Sequence, residues 1–420
     1  MVKKFKLANG LRVVFVPQAG PTATAMVLVE AGSEYETKKI NGLSHFLEHL
    51  CFKGTKKRPE PGMISRELDS LGAESNAFTN QEYTGYWAKV QKKNFERILE
   101  IIADLYLNPI FNPKEIDKER GVVIEELNMY EDTPMRKVEE IWYNLVYGDQ
   151  PAGWDIGGTK ELVSNITREE IIKYRSKHYV AMKTIVVVAG NINGARAKTL
   201  IQKYFGSLPK TARLKKSKTK TPAKGPKVAI KFKKSEQDHL VLGVPGFDIF
   251  DKRRYALYVL ASVLGYGMSS RLFHKIREEL GAAYYVRANS SEGLDHGEFS
   301  VATGTANPKT EMVIKAVLRE FARLRLELVP PKELKKAKDI ITSGMVMGLE
   351  TSDQLANFYG IQEILTEKLL SPEEISRHVE AVTAEDVRSV ARAIFKKDRL
   401  NFAIIGPHKD SKKFRKLLSI

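Results

Sequence analysis

The spacing of apolar positions changes period repeatedly along this chain, and each change marks an element. Residues 4–17 alternate about Asn9-Gly10, a dipeptide that favours a tight hairpin turn, so two strands are predicted there. The second, Leu11-Arg12-Val13-Val14-Phe15-Val16, is nearly all β-forming. Another strand is predicted over 24–30, ending at Ala31-Gly32-Ser33. Residues 41–54 then take a helical period, closed by Gly54. Pro61-Gly62-Met63 opens a helix over 64–71 that stops at Gly72, and 73–90 reads as a β-hairpin. Phe95, Ile98, Leu99, Ile102 and Leu105 fall on one helical face. A long helix follows from Lys114 to about Tyr130, with Pro113 at its start and Pro134 beyond its end. Helices over 138–146 and 167–177 flank a Gly-rich loop at 153–158 that lacks any nucleotide-binding form. Thr184-Ile185-Val186-Val187-Val188-Ala189-Gly190 is a β-branched run, the pattern of a strand buried on both faces.

Residues 208–227 break this pattern, with Pro, Lys, Thr and Ser, no acidic residue and almost nothing apolar. That is linker composition. Beyond it the order of features returns: strands over 228–233 and 240–244, helices over 255–264 and 270–280, then hairpin strands over 283–289 and 297–303. Val329-Pro330-Pro331-Lys332-Glu333-Leu334 echoes Asn112-Pro113-Lys114-Glu115-Ile116. Val382-Thr383-Ala384-Glu385-Asp386 echoes Ile166-Thr167-Arg168-Glu169-Glu170, and the last strand, 400–406, echoes the one ending at Gly190. A repeat of this length is a duplicated domain. The prediction is an α+β protein of two homologous halves, each a mixed, mainly antiparallel sheet with helices packed on one side. The halves are 1–207 and 228–420, joined by the basic linker 208–227.

Composition narrows the class. At 420 residues the chain has room for more than one core. Its one cysteine, Cys51, excludes an internal disulfide. Met1-Val2-Lys3-Lys4-Phe5-Lys6-Leu7 has no signal-peptide core, and no apolar run is long enough to span a bilayer, so a cytoplasmic protein without a membrane partner is expected. The net charge of +17 raises a polyanionic partner as one reading. The basic residues are interleaved with Glu, however, so a Lys-rich surface is expected and a nucleic-acid partner is not.

Candidate chemistry sits in the helix at 41–54. His45 and His49 are four apart and share a face, with Glu48 beside them. Two imidazoles at this spacing can hold one zinc, and the carboxylate can take a proton from a water held there. The order H-x-x-E-H is the inverzincin signature. The plain alternative is a pair of surface histidines. The duplication argues against it: aligning Gly54 with Gly267 puts Tyr258, Ala261 and Ser262 opposite His45, Glu48 and His49. Aligning Pro113 with Pro331 puts Ala337 and Gly344 opposite Glu119 and Glu126, so the second half has lost every ligand together. For the third ligand the long helix offers Glu119 and Glu126, which share a face, and Glu125 about a quarter-turn away.

The combination of His45-x-x-Glu48-His49 with Phe52-Lys53-Gly54-Thr55, Leu71-Gly72-Ala73, Asn76-Ala77-Phe78-Thr79, the Glu119–Glu126 run, Gly267-Met268-Ser269-Ser270-Arg271-Leu272 and the Arg277–Tyr284 segment resembles the pitrilysin-type inverzincin family of zinc peptidases. Within it the chain is similar to the branch holding the catalytic subunit of mitochondrial processing peptidase and small prokaryotic relatives. The resemblance implies one zinc per chain on His45, His49 and Glu126, with Glu119 orienting a histidine and Glu48 as general base. It implies that Arg277 and Tyr284 steady the oxyanion; without it they read as a helix-end salt bridge and a core tyrosine. It implies two halves closed like a clamshell around a chamber, and a substrate strand added at Asn76, Ala77 and Phe78. The implied activity is endoproteolysis of peptides or unfolded polypeptides by a homodimer, or by a heterodimer with an inactive homologue. The alternative is a non-catalytic or partner-dependent subunit of a processing complex.

Overall fold

The computed structural model describes residues 2–220 and 224–420, so residues 221–223 of the expected linker lie outside the described residues. The chain divides into two compact units, each α+β and each assembled from three segments.

The first unit holds Met1–Asn128, Asp155–Ser217 and Gly348–Leu370. Its six-stranded sheet contains β1 (Lys3–Lys6), β2 (Arg12–Pro17), β3 (Thr22–Val29), β4 (Glu74–Thr79), β5 (Thr84–Gln91) and β6 (Thr184–Gly190), in the order β1-β2-β6-β3-β5-β4. The β-branched run predicted to be buried on both faces is β6, and every residue of it is buried. Met26, Leu28, Val187 and Ala189 pack on the helix Ser352–Thr366. Alternate residues face the other way. That side carries this half's own helices, α1 (Leu43–Cys51), α2 (Met63–Ser70), α3 (Phe95–Leu107) and α4 (Pro113–Asp132), of which α3 packs on β3 and β5.

The second unit holds Met129–Trp154, Lys218–Met347 and Ser371–Ile420. Its strands are β7 (Lys227–Phe232), β8 (Gln237–Pro245), β9 (Ala283–Glu292), β10 (Gly297–Ala306) and β11 (Asn401–Gly406), in the order β7-β11-β8-β10-β9. This is the first sheet again without its β1 margin: a parallel pair, β7 with β11 or β2 with β6, then three antiparallel neighbours. One face, with Leu240, Leu242, Phe402 and Ile404, joins the core built by this half's own helices, of which Arg254–Gly265 packs on β9 and β10. The other packs on α5 (Pro134–Tyr147), whose Val138, Trp142 and Val146 meet Val241, Ala403 and Ile405. The helix predicted over 270–280 is a π-helix over Phe273–Glu279, and the turn after it closes at Gly281 with φ +51°.

The units therefore depart from a cut at the linker. Residues 129–154 precede the linker yet belong to the second unit, and 348–370 follow it yet belong to the first. Each sheet has two apolar faces, and the helices of its own half cover only one. The linker is also less free than its composition implies. Arg213 donates to Glu30 at 2.6 Å and pairs with Glu367. Lys216, its side chain almost fully buried, pairs with Glu34 at 2.5 Å and Glu82 at 3.3 Å. Residues up to Ser217 are thus pinned to the first unit.

The loop leaving α1 is held by a buried cation. Arg58, 3% exposed, bonds Asp104 at 2.6 Å and Glu100 at 2.7 Å, and its Nε reaches Glu67 at 3.0 Å. Removing one partner of a buried ion cluster strands the others and costs about 3–5 kcal/mol. Arg58→Ala is expected to lower stability by about that amount, read from chemical denaturation; a change inside the range of ordinary surface substitutions would contradict this role.

Candidate metal centre

Helix α1 begins where the backbone turns through Gly42 at φ +95°. Its first turn leaves N–H groups without partners in the helix. Buried Glu36 supplies them: its Oε2 accepts from Gly42 N at 2.8 Å and from Asn41 Nδ2 at 3.0 Å, and its Oε1 accepts from Ser44 N at 2.6 Å. Burial pushes this carboxyl up to about 7, against the pull of those bonds. The Gly-rich loop packs on the same helix end. A Cβ on Gly42 would lie 2.4 Å from Gly157 O, and one on Gly158 (φ +72°) would lie 2.3 Å from Asn41 O. A Cβ on Gly157 would come 3.8 Å from His45 Nδ1 and 2.8 Å from Leu127. The loop is glycine-rich because backbone meets backbone there, behind a histidine.

His45 and His49 leave α1 on one face, with ring centroids 4.7 Å apart. Helix α4 brings the carboxylate. Glu126 Oε2 is 3.6 Å from His45 Nε2 and 3.4 Å from His49 Nε2. One ligand atom from each of the three residues lies within 4.8 Å of the others. Two imidazole nitrogens and a carboxylate oxygen, half-buried and converging, fit zinc with a position left for water. Glu126, the ligand that the resemblance implies, stands in this group, whereas Glu125 is exposed and lies outside it.

Two turns earlier on α4, Glu119 is buried and accepts from His49 Nδ1 at 2.9 Å. Lys53 Nζ sits 2.7 Å from its other oxygen. Burial pushes the Glu119 carboxyl up, but the bonds from His49 and Lys53 outweigh it and hold the group below the usual carboxylate range. This arrangement fixes the His49 ring and turns Nε2 toward Glu126. Burial lowers the His49 imidazole, yet Glu119 and Glu126 overcome that and raise it to about 9. Without metal His49 is therefore protonated at neutral pH, and a metal must displace that proton. Zinc binding near pH 7.5 is expected to release about one proton, with affinity rising about tenfold per pH unit up to the raised value. Calorimetry in buffers of different ionisation enthalpy reads this directly, and proton release near zero would contradict it.

Glu48 is half-buried beside His49, and burial raises its carboxyl above the usual range, with the Thr79 bond and His49 pulling it back. Thr79 is the last residue of β4, and its hydroxyl is 2.5 Å from Glu48 Oε2. Strand β4 is a margin of the sheet and pairs with β5 alone among the described residues. Along it Asn76 is exposed and its Oδ1 accepts from the N–H of Ala77 at 2.9 Å, so Asn76 sits in the strand rather than at a turn. Phe78 packs inward against the core of the first unit. Glu36, Thr79, Lys53 and Gly157 were not assigned roles from sequence, although Thr79 and Lys53 stand inside motifs that carry the resemblance. An acid a few residues ahead of a glycine-started helix was the available signal for Glu36.

Arg277 and Tyr284 lie together in the second unit. Arg277 donates to Tyr284 O at 3.2 Å and stands 5.2 Å from its ring centroid. Tyr284 is 81% exposed, which overturns the reading of it as a core tyrosine. The positions aligned by duplication also meet in this unit: Ser262, opposite His49, donates to the backbone of Ala337, opposite Glu119, at 3.0 Å. The contact survives while the ligands are gone.

The chain is similar to known proteins along nearly its whole length. Residues 12–160 match the family described as Insulinase (Peptidase family M16), and residues 165–341 match the Peptidase M16 inactive domain. The chain is 33% identical to the uncharacterized zinc protease YmxG of Bacillus subtilis, over 97% of this chain and 98% of that one. It is 35% identical to an uncharacterized zinc protease of Rickettsia bellii, over 96% and 97%. The crystal structure of a protease from Helicobacter pylori superposes with a TM-score of 0.90 at 25% identity, covering 96% of this chain and 99% of that one. A Peptidase M16 inactive domain structure from Pseudomonas fluorescens shares the fold with a TM-score of 0.89 at 20% identity, covering 97% and 98%.

Proposed function

Because this chain belongs to peptidase family M16, we propose that it is a zinc-dependent endopeptidase acting on peptides and unfolded polypeptides. The observation that carries the reading is the convergence of His45, His49 and Glu126, with Glu48 held beside them. His45, His49 and Glu126 would hold the zinc, which would supply a Lewis acid for the attacking water and the scissile carbonyl. Glu48 takes a proton from the attacking water and passes it to the leaving amine. Glu119 holds His49 in the orientation that coordination requires. The margin of β4, which pairs with β5 alone among the described residues, is an edge to which an extended peptide can add as a strand. The geometry of α1 and α4 favours this reading over a non-catalytic subunit, since motif and third ligand are both intact.

Arg277 and Tyr284 belong to the same proposal as stabilisers of the developing oxyanion. Tyr284→Phe is expected to lower kcat roughly 10²-fold with zinc retained; full activity would remove Tyr284 from that role. Assembly as a homodimer, or with an inactive homologue, is a further part of the proposal and is read from sedimentation with and without candidate partners. Among the described residues no helix is long and apolar enough to cross a membrane. The test of the activity is digestion of an unstructured peptide mixture, and of a folded protein, with and without chelator. Internal cleavage of the peptides alone, abolished by chelator and restored by zinc, is the expected result. Cleavage indifferent to chelator, or none, overturns the reading.

A further inference from the structure

We infer that Thr79 is a positioning residue for the general base, and that its hydroxyl proton fixes the direction of the Glu48 carboxylate. The inference rests on the peptidase reading and adds a residue to it. Proton accounting decides the direction of the bond. Thr84 Oγ1 donates its one proton to Ala31 O at 2.7 Å. Thr79 Oγ1 stands 3.4 Å from Thr84 Oγ1 and 2.5 Å from Glu48 Oε2. The bond therefore runs from Thr79 Oγ1 to Glu48 Oε2, as it must if Glu48 is the base of the peptidase reading.

The geometry around the bond is stiff on one side and loose on the other. Threonine is β-branched, and in a strand its χ1 is restricted. Thr79 is further fixed by register, because it pairs directly with Thr84 across β4 and β5. Glutamate has three rotatable bonds and, on α1, no such constraint of its own. A charge-assisted bond from a rigid donor therefore holds Oε2 and leaves Oε1 available for the attacking water. The donor also belongs to the strand that offers its margin to substrate, with Ala77 and Thr79 on one face of it. Seating a peptide and orienting the base thus depend on the same six residues.

Thr79→Val removes the proton and keeps the shape. With the zinc-loaded full chain, kcat is expected to fall roughly 10- to 100-fold while KM stays unchanged. Zinc affinity, measured by competition with a chelating dye, is expected to match the parent. Thr79→Ser restores the hydroxyl and is expected to recover most of kcat. A valine variant with parental kcat overturns the inference, as does loss of zinc affinity along with kcat, or a serine variant no better than valine. An unsubstituted protein that binds zinc and cleaves nothing sinks the peptidase reading itself and takes this inference with it. An active parent with an equally active valine variant sinks only the assignment of Thr79.

Discussion

Glu48→Gln is expected to keep one zinc per chain and to lower kcat roughly 10²- to 10⁴-fold. The substitution preserves volume and leaves an acceptor for the Thr79 hydroxyl, so α1 and β4 keep their contact. What it removes is basicity. The parent carboxyl, raised by burial and beside His49, is a better base than an exposed glutamate, and an amide is none. Zinc stoichiometry and peptide turnover, measured on the same preparation, separate the two effects. Retained turnover would take Glu48 out of the chemistry, and lost zinc would make it structural.

The three glutamates of α4 are expected to separate by their positions rather than by their chemistry. Glu126→Ala is expected to lose both zinc and turnover, because it deletes the ligand that faces both imidazoles. Glu119→Gln is expected to weaken zinc roughly 10- to 100-fold, because it loosens the His49 ring without removing a ligand. Glu125→Ala, altering an exposed side chain one residue away from the ligand, is expected to leave zinc content and turnover unchanged. The measurement is zinc content after dialysis against graded chelator. Loss of zinc in the Glu125 variant with zinc kept in the Glu126 variant would reverse the ligand assignment.

The metal helix was legible because its information is local. Four-residue spacing puts His45 and His49 on one face whatever else the chain does, and the structure keeps them there. The duplication was legible because Pro113 and Pro331 open equivalent helices, and Ser262 meets Ala337 as the alignment implies. The exchange of helices was not legible. Val138, Trp142 and Val146 announce an apolar stripe that needs a sheet, but an amphipathic period does not say which sheet. The same holds for Ala356 and Tyr359, which pack on the first sheet from beyond the linker. Ion pairs between distant positions carry no local pattern, so the pins at Arg213 and Lys216 were hidden inside what read as a plain basic tether. Near the metal centre the same rule divides the residues. His45, Glu48 and His49 are close in sequence and were read together, whereas Thr79 and Gly157 meet them from distant parts of the chain that only the fold brings together.

The proposed chemistry requires three side chains to share one ion. A zinc-edge anomalous difference map from crystals of the full chain tests this directly. One peak per chain is predicted, within about 2.0–2.2 Å of His45 Nε2, His49 Nε2 and a Glu126 oxygen. A peak on other side chains, or a centre without one in protein that carries zinc, would contradict it.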